Sequence, residues 1–258
     1  MVAVTLMGSG PGDPELMTRK AWRILGEADV VLHDALLDAE GMKEAAPLAQ
    51  WISVGKRAGR PAPEQAFICK TLVAYARRGL RVVRLKGGDP SIFGRLAEEI
   101  EACREADVEV EVVPGVTSAC AAAADLQSSL TLRGVSRSVV FLTPRVGRGE
   151  RDDQHWLRAA LAADTVVLYM AGRRADVICQ KLIEAGKAAL TPLCVVENAG
   201  SSGTRLKLTL MDVARFGLPD MDGPVSLLLG DAMEEARIPS MDQLPHVSGR
   251  DYVRSNGV

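Results

Sequence analysis

The sequence predicts an α/β fold in two domains, with strands that pair mainly in parallel. Three observations carry that prediction. Short apolar runs alternate with helix-patterned segments, an order that favours parallel strands joined by crossovers. Apolar runs in the first half lead into glycine- or proline-rich loops, which gather on the sheet rim where such folds bind ligands. A new set of strand-like runs begins after the alanine-rich residues 119–125, placing a boundary near residues 114–124. The expected domains are residues 1–114 and 115–237, with a partly disordered tail over 238–258.

Residues 2–7 read as the first strand and feed the turn Gly8-Ser9-Gly10-Pro11-Gly12-Asp13. Met17, Ala21, Ile24, Leu25 and Ala28 then fall on one face of a helix. Residues 30–32 and 51–54 are short buried strands, the first ending at His33-Asp34 and the second entering Gly55-Lys56-Arg57-Ala58-Gly59-Arg60. A helix is expected over 63–78, stopped by Gly79. A strand over 81–85 leads into Lys86-Gly87-Gly88-Asp89-Pro90, followed by a helix over 91–105 and a strand over 108–113. Pro114-Gly115-Val116-Thr117-Ser118 ends that strand. Later strands are expected over 136–142, 165–169, 192–196, 206–210 and 225–229, with a helix over 175–185 and a mobile loop over 145–154.

With 258 residues and 47% hydrophobic content, the chain can build a real core. Its formal net charge of -2 excludes the overall signature of a nucleic-acid binder, so an anionic ligand needs a local cluster of cations. Five scattered cysteines, none in a CxxC pair, read as reduced thiols in a cytoplasmic protein. His33, His155 and His246 stand far apart, so no metal site is expected. The amino terminus carries no basic segment like that of a signal peptide, and no apolar run is long enough to span a membrane.

Each motif has a chemical and a plain structural reading. Glycines in the turn 8–13 let backbone amides approach a ligand closely. A dinucleotide loop would want a glycine at Asp13 and an amide at Pro11, so pyrophosphate binding is disfavoured. The plain reading makes Asp13 a helix cap with Pro14 at the first helical position. Asp34 suits a grip on a hydroxyl, but many strands end in an aspartate. Lys56, Arg57 and Arg60 suit anion binding or plain solvation. Arg95 and Glu98 lie three apart on one helical face, where a surface ion pair adds about 0.3–0.5 kcal/mol. Asp89 closes a strand where it can accept hydrogen bonds, and Met170 alone reads as core.

Taken together and in order, four stretches resemble uroporphyrinogen-III C-methyltransferases of the tetrapyrrole (class III) methylase family. They are residues 8–16, 54–59, 82–95 and 112–117, within a likeness that covers about residues 3 to 235. The resemblance implies two α/β domains, a site in the cleft between them, and a homodimer. It implies S-adenosylmethionine as cofactor, S-adenosylhomocysteine as product, and no metal. Cofactor contacts are implied at Pro11, Gly87, Gly88, Asp89, Ile92, Thr117, Ser118, Met170 and Ala199. Acid–base or substrate roles are implied at Asp34, Lys56, Arg95, Glu98 and Arg133.

The implied substrate is the tetrapyrrole uroporphyrinogen III, methylated at C2 and C7 to give precorrin-2 for sirohaem, cobalamin or haem d1. A later corrin precursor, or tetrapyrrole binding with little turnover, are the alternatives within the resemblance. A nicotinamide-dependent oxidoreductase is the alternative outside it. A polycarboxylate macrocycle needs fixed guanidinium and ammonium groups, which Lys56, Arg57, Arg95 and Arg133 would supply. The chain departs from the family pattern at Leu132, where histidine is usual, and at Leu96-Ala97, where two glycines are usual. Ser118 replaces an alanine and Ala199 a glycine.

Overall fold

The computed structural model describes residues 2–34, 39–55, 65–144 and 155–238. Lys56, Arg57 and Arg60, the loop over 145–154 and the tail from 239 onward therefore lie outside the described residues.

The first half forms one five-stranded sheet from β1 (Val4–Gly8), β2 (Val30–His33), β3 (Gln50–Ser53), β4 (Val82–Lys86) and β5 (Val110–Val113). The strand order is β3-β2-β4-β1-β5, and every pair is parallel. Of the three interior strands, β4 and β1 are buried throughout, because a parallel sheet is covered on both faces. One face packs Met7, Val31 and Leu85 against Ala21 and Leu25 of α1 (Arg19–Leu25) and Met42 of α2 (Ala39–Lys43). The other packs Leu6, Leu32 and Val82 against Ile68 and Leu72 of α3 (Gln65–Ala76) and Cys103 of α4 (Leu96–Glu105). Gly79 ends the α3 segment at φ +77°, as its sequence position suggests.

The helix expected over 91–105 begins five residues late, at Leu96. Phe93 and Arg95 sit in the left-handed region at φ 53° and 55°, which a helix interior does not allow. Gly94 lies between them in a turn so tight that a Cβ there would stand 2.4 Å from Pro90 O.

Thr117 then caps α5 (Ser118–Asp125), whose buried alanines Ala119, Ala121, Ala122 and Ala123 pack against the second sheet. The second half runs β6 (Val139–Leu142), α6 (His155–Ala162), β7 (Thr165–Tyr169), α7 (Ala175–Glu184), β8 (Pro192–Glu197), β9 (Arg205–Thr209), α8 (Leu210–Phe216) and β10 (Val225–Leu229). Its strand order is β6-β7-β10-β8-β9.

The expectation of mainly parallel strands holds for the first sheet, whereas the second is mixed. Only β6 and β7 pair in parallel; β7–β10, β10–β8 and β8–β9 are antiparallel. The link over 198–204 is too short for a crossover, so β8 and β9 must form a hairpin. One face of this sheet packs Val167, Cys194 and Leu228 on α5, and the other packs Leu168, Leu193 and Leu227 on α7 and α8. Among the described residues no helix is long and apolar enough to cross a membrane.

Candidate functional site

Because β1 lies between β4 and β5, the loops after these three strands leave one rim side by side. Their backbones interlock. The Ser9 amide and hydroxyl both donate to Lys86 O, at 2.8 and 3.1 Å. Gly10 and Gly88 exchange two backbone bonds of 3.3 and 2.7 Å, both at positive φ, where glycine carries no steric cost. A Cβ on Gly8 or Gly115 would stand 2.3 or 2.2 Å from Gly88 O, so the three loops touch with no room for a side chain.

Asp89 fastens this contact. Its Oδ1 accepts from the Ser91 amide at 2.8 Å and from the Ser91 hydroxyl, and its Oδ2 accepts from the Gly115 amide at 2.9 Å. Burial pushes the carboxyl pKa up, but the bonds from Ser91 and Gly115 outweigh it and hold the group below the ordinary carboxylate range. Asp13 likewise caps the short turn Pro14–Leu16 through the Glu15 amide at 2.8 Å, with Pro14 first in the turn.

The second half closes over these loops at two places. Tyr169, at the end of β7, shares a 2.6 Å hydrogen bond with the Thr117 hydroxyl and accepts from the Ala119 amide at 3.2 Å. Its ring lies 5.2 Å from that of Phe93, across the cleft, and 6.0 Å from that of Phe141. The β8–β9 turn meets the first loop directly: a Cβ on Gly200 would be 2.9 Å from Pro11 Cγ, and one on Gly12 would be 2.5 Å from Ser201 Oγ.

That turn is braced from below by buried Arg205. Its guanidinium donates to Glu197 O at 2.5 Å, Ser201 O at 2.8 Å and Asp125 Oδ2 at 2.5 Å, while Asp125 also accepts from the Gly200 amide at 2.9 Å. A cavity of about 430 Å³ opens here, walled by Pro11, Gly12, Asn198, Gly200, Ser201 and Pro224. A larger groove of about 520 Å³ runs between α3 and α4, but no glycine loop reaches it.

Of the residues singled out from sequence, Pro11, Gly88, Asp89, Thr117, Ser118 and Ala199 are gathered at this junction. A Cβ on Gly88 would be 3.9 Å from Thr117 Cα and 3.8 Å from the Ser118 amide. Gly87 precedes Gly88 in the same loop, and the Ile92 amide closes the next turn on Asp89 O at 3.2 Å. Met170 follows Tyr169 and is half-exposed at φ 57°, not core. Phe93, Arg95, Met170 and Asn198 all adopt left-handed conformations around the cleft, a clustering of backbone strain found at functional sites.

The polar residues divide. Arg95 and Glu98 form a two-pronged pair at 2.8 and 2.7 Å where α4 begins, both half-exposed. Asp34 Oδ1 accepts from Arg84 Nη2 at 2.5 Å, and 36% of its side chain remains exposed. Arg133 is not brought to this group. It sits in the turn between Leu132 and Ser136, and Ser136 Oγ lies 2.8 Å from Thr165 Oγ1, at the end of β7 opposite Met170. Leu132 shares that remote turn.

Sequence reasoning missed Arg84, Lys86 and Glu99, which form a buried ion cluster under the β4 loop. A signal existed: Arg84 and Lys86 interrupt the apolar run of the fully buried β4. It also missed Tyr169, Phe93 and Arg205 as the elements that join the two halves. No group of metal-binding side chains exists among the described residues.

The family model for Tetrapyrrole (Corrin/Porphyrin) Methylases matches residues 3–214. A uroporphyrinogen-III C-methyltransferase from Cyanidium caldarium is 39% identical over 238 residues, 91% of this chain and 95% of that protein. Siroheme synthase 1 from Yersinia enterocolitica is 43% identical over 193 residues, 75% of this chain, and the match spans 41% of that longer protein. A uroporphyrin-III C-methyltransferase structure from Thermus thermophilus, complexed with S-adenosylhomocysteine, superposes with a TM-score of 0.76 at 36% identity, covering 90% of this chain and 93% of that one. Interlocked glycine loops on one rim, a second lobe closing over them and a match across most of the length agree: the chain belongs to the tetrapyrrole methylases.

Proposed function

We propose that this chain is an S-adenosylmethionine-dependent C-methyltransferase that methylates uroporphyrinogen III at C2 and C7 to give precorrin-2. The observation that carries the reading is the junction of the β1, β4 and β5 loops with the β8–β9 turn, on the rim where the segments after β2 and β4 also present the partly exposed Asp34 and Arg95.

Of the implied cofactor residues, Pro11 lines the cavity, whose walls are otherwise glycine, proline and short polar or acidic side chains, with no lysine or arginine among the described lining residues. When bound, S-adenosylmethionine supplies a methyl group made electrophilic by its sulfonium. Pro11, Gly87, Gly88, Asp89, Ile92, Thr117, Ser118, Met170 and Ala199 hold and orient it, largely through backbone atoms. Asp89 does so indirectly, since both its oxygens are engaged in joining the loops.

The rest of the work is placement. A pyrrole carbon is electron-rich, so fixing the macrocycle in line with the methyl group supplies most of the acceleration. Arg95 anchors substrate carboxylates, with Glu98 holding its guanidinium flat. Asp34, aimed by Arg84, takes the proton that leaves the methylated ring. Lys56 adds a cation from its segment, whereas Arg133 has no place in this reading of one chain.

Residues 1–114 and 115–237 serve as the two lobes, the working unit is a homodimer, and the setting is the cytoplasm. The test is incubation with labelled S-adenosylmethionine and uroporphyrinogen III, read by product mass. Doubly methylated product is expected, and Arg95→Ala should lose turnover while still binding S-adenosylhomocysteine. Methyl transfer to a later corrin precursor in preference, or to neither, would overturn the assignment.

A further inference from the structure

Four charged side chains run from the core of the first half to its partly exposed rim. They are Lys86, Glu99, Arg84 and Asp34, with side chains 4%, 0%, 3% and 36% exposed. Glu99 is the hub. Its Oε1 accepts from Lys86 Nζ at 2.9 Å, Arg84 Nε at 3.0 Å and Gln65 Nε2 at 3.0 Å, and its Oε2 accepts from Lys86 Nζ at 2.9 Å. Arg84 is gripped again at its far end, where Nη1 donates to Leu85 O at 3.0 Å and Nη2 to Asp34 Oδ1 at 2.5 Å. Two cations face two anions, and no buried side-chain polar atom among the described residues is left without a partner.

Stability does not account for such a line. Removing ions from water costs several kcal/mol each, and apolar residues of the same size often serve a core as well or better. Geometry gives it a use. Held at both ends, the Arg84 guanidinium cannot swing, so it presents Nη2 to Asp34 in one orientation. Glu99 also stands next in sequence to Glu98 in the first turns of α4, so its two bonds to Lys86 tie that helix start to the end of β4. The stem of Lys86 supports the adjoining turn, since a Cβ on Gly94 would be 3.2 Å from Lys86 Cε.

We propose that Glu99 is a positioning residue for the methyl transfer. Through Arg84 it fixes the Asp34 carboxylate at the rim, and through Lys86 it sets the turn that carries Arg95 and Glu98. This inference rests on the methyltransferase reading and deepens it.

The test compares the full-length wild type with Glu99→Gln and with Glu99→Gln/Lys86→Met. The double variant removes one anion and one cation, so no lone buried ammonium is left to unfold the protein. Steady-state kinetics with uroporphyrinogen III are measured beside calorimetric binding of S-adenosylhomocysteine and thermal melting. Both variants should lose kcat by about tenfold to a hundredfold, the loss typical of a misplaced reacting group. Cofactor Kd should stay within about threefold, a free-energy change under about 0.7 kcal/mol. The double variant should melt closer to wild type than the single one, without regaining kcat.

Recovery of kcat together with melting temperature would make the cluster a structural filling and overturn the inference. So would a parallel loss of cofactor binding, or a Glu99→Gln enzyme with wild-type kcat. A wild-type protein that binds cofactor but transfers no methyl group would instead overturn the functional reading, and this inference with it.

Discussion

Adding one methyl group at Gly115 tests the site more sharply than removing any charged residue. The added Cβ would stand 2.2 Å from Gly88 O and 2.9 Å from Gly8 Cα. Carbon and oxygen come no closer than about 3.3 Å without strain, so the β4 and β5 loops must part by about 1 Å. Parting them stretches the Gly10–Gly88 bridge and the bond from the Gly115 amide to Asp89. Overpacking costs about 1–3 kcal/mol. A strained hydrogen bond adds about 1 kcal/mol. A total of about 3 kcal/mol lowers the melting temperature by about 6–12 °C in a chain of this size.

The same movement displaces the loops that carry Gly87, Gly88, Asp89 and Thr117, residues proposed to hold the cofactor, so Gly115→Ala should also bind S-adenosylhomocysteine at least about tenfold more weakly, a loss of about 1.4 kcal/mol. Gly79→Ala is the control. Gly79 has φ +77° but nothing within 4 Å of a built Cβ. Its backbone strain costs about 1–2 kcal/mol. Cofactor binding should be unchanged. Differential scanning fluorimetry and isothermal calorimetry read both quantities. A Gly115→Ala protein that melts and binds like wild type would refute the three-loop contact.

Two further predictions concern titratable groups. Cys69, Cys103, Cys179 and Cys194 are buried and Cys120 is exposed. Burial pushes Cys179 up to about 12 and Cys103 and Cys194 up to about 11. A small disulfide reagent at about pH 8 should therefore titrate one fast thiol in native protein, lost in Cys120→Ser; a second fast thiol would contradict the packing. Asp89 has a depressed pKa, so its contribution is full above the ordinary carboxylate value of about 4 and is lost as pH falls through the lower folded value. Thermal melts from about pH 7 down to about pH 3 should fall less steeply for Asp89→Asn, which starts from a lower neutral-pH stability. Parallel slopes would sink that assignment.

Much of the first sheet was legible because buried parallel strands leave a simple trace. The runs at 30–32, 81–85 and 108–113 are short, valine-rich and punctuated, in spite of Arg81, Arg84, Glu109 and Glu111, and β2, β4 and β5 fall within two residues of them. The second sheet also yielded its strand positions, with β7 and β10 at the expected bounds, but not their directions. Direction depends on what joins neighbours, and β10 enters between β7 and β8, strands remote from it in sequence. The short helices left weaker traces. In α5 the run of alanines carries no polar face to give a period, and α2 has five residues, too few to show one.

The site divides along a different line, between what the backbone does and what side chains do at a distance. Gly8, Gly88 and Gly115 were legible as a set because close backbone approach leaves one residue type at each position. Arg133 and Arg95 were both candidate carboxylate-binding cations in sequence, since an arginine's position along the chain says nothing about which rim it occupies. The chain path separates them, because α5 and the turn at 132–136 carry Arg133 to the start of β7, while the β4 loop keeps Arg95 beside the junction. Glu99 is the converse case. It reads as one more acidic residue in an exposed helix, next to Glu98 and close to Glu101. Burial converts the two neighbours into different chemical objects: Glu98 pairs with Arg95 in solvent, while Glu99 accepts four hydrogen bonds with no exposed surface. A solvated pair can rearrange at little cost, but the buried hub cannot lose a partner without stranding a charge. The rigid half of the polar apparatus is therefore the half that a helical charge pattern hides, and the exposed Arg95–Glu98 pair is the half free to adapt to a substrate carboxylate.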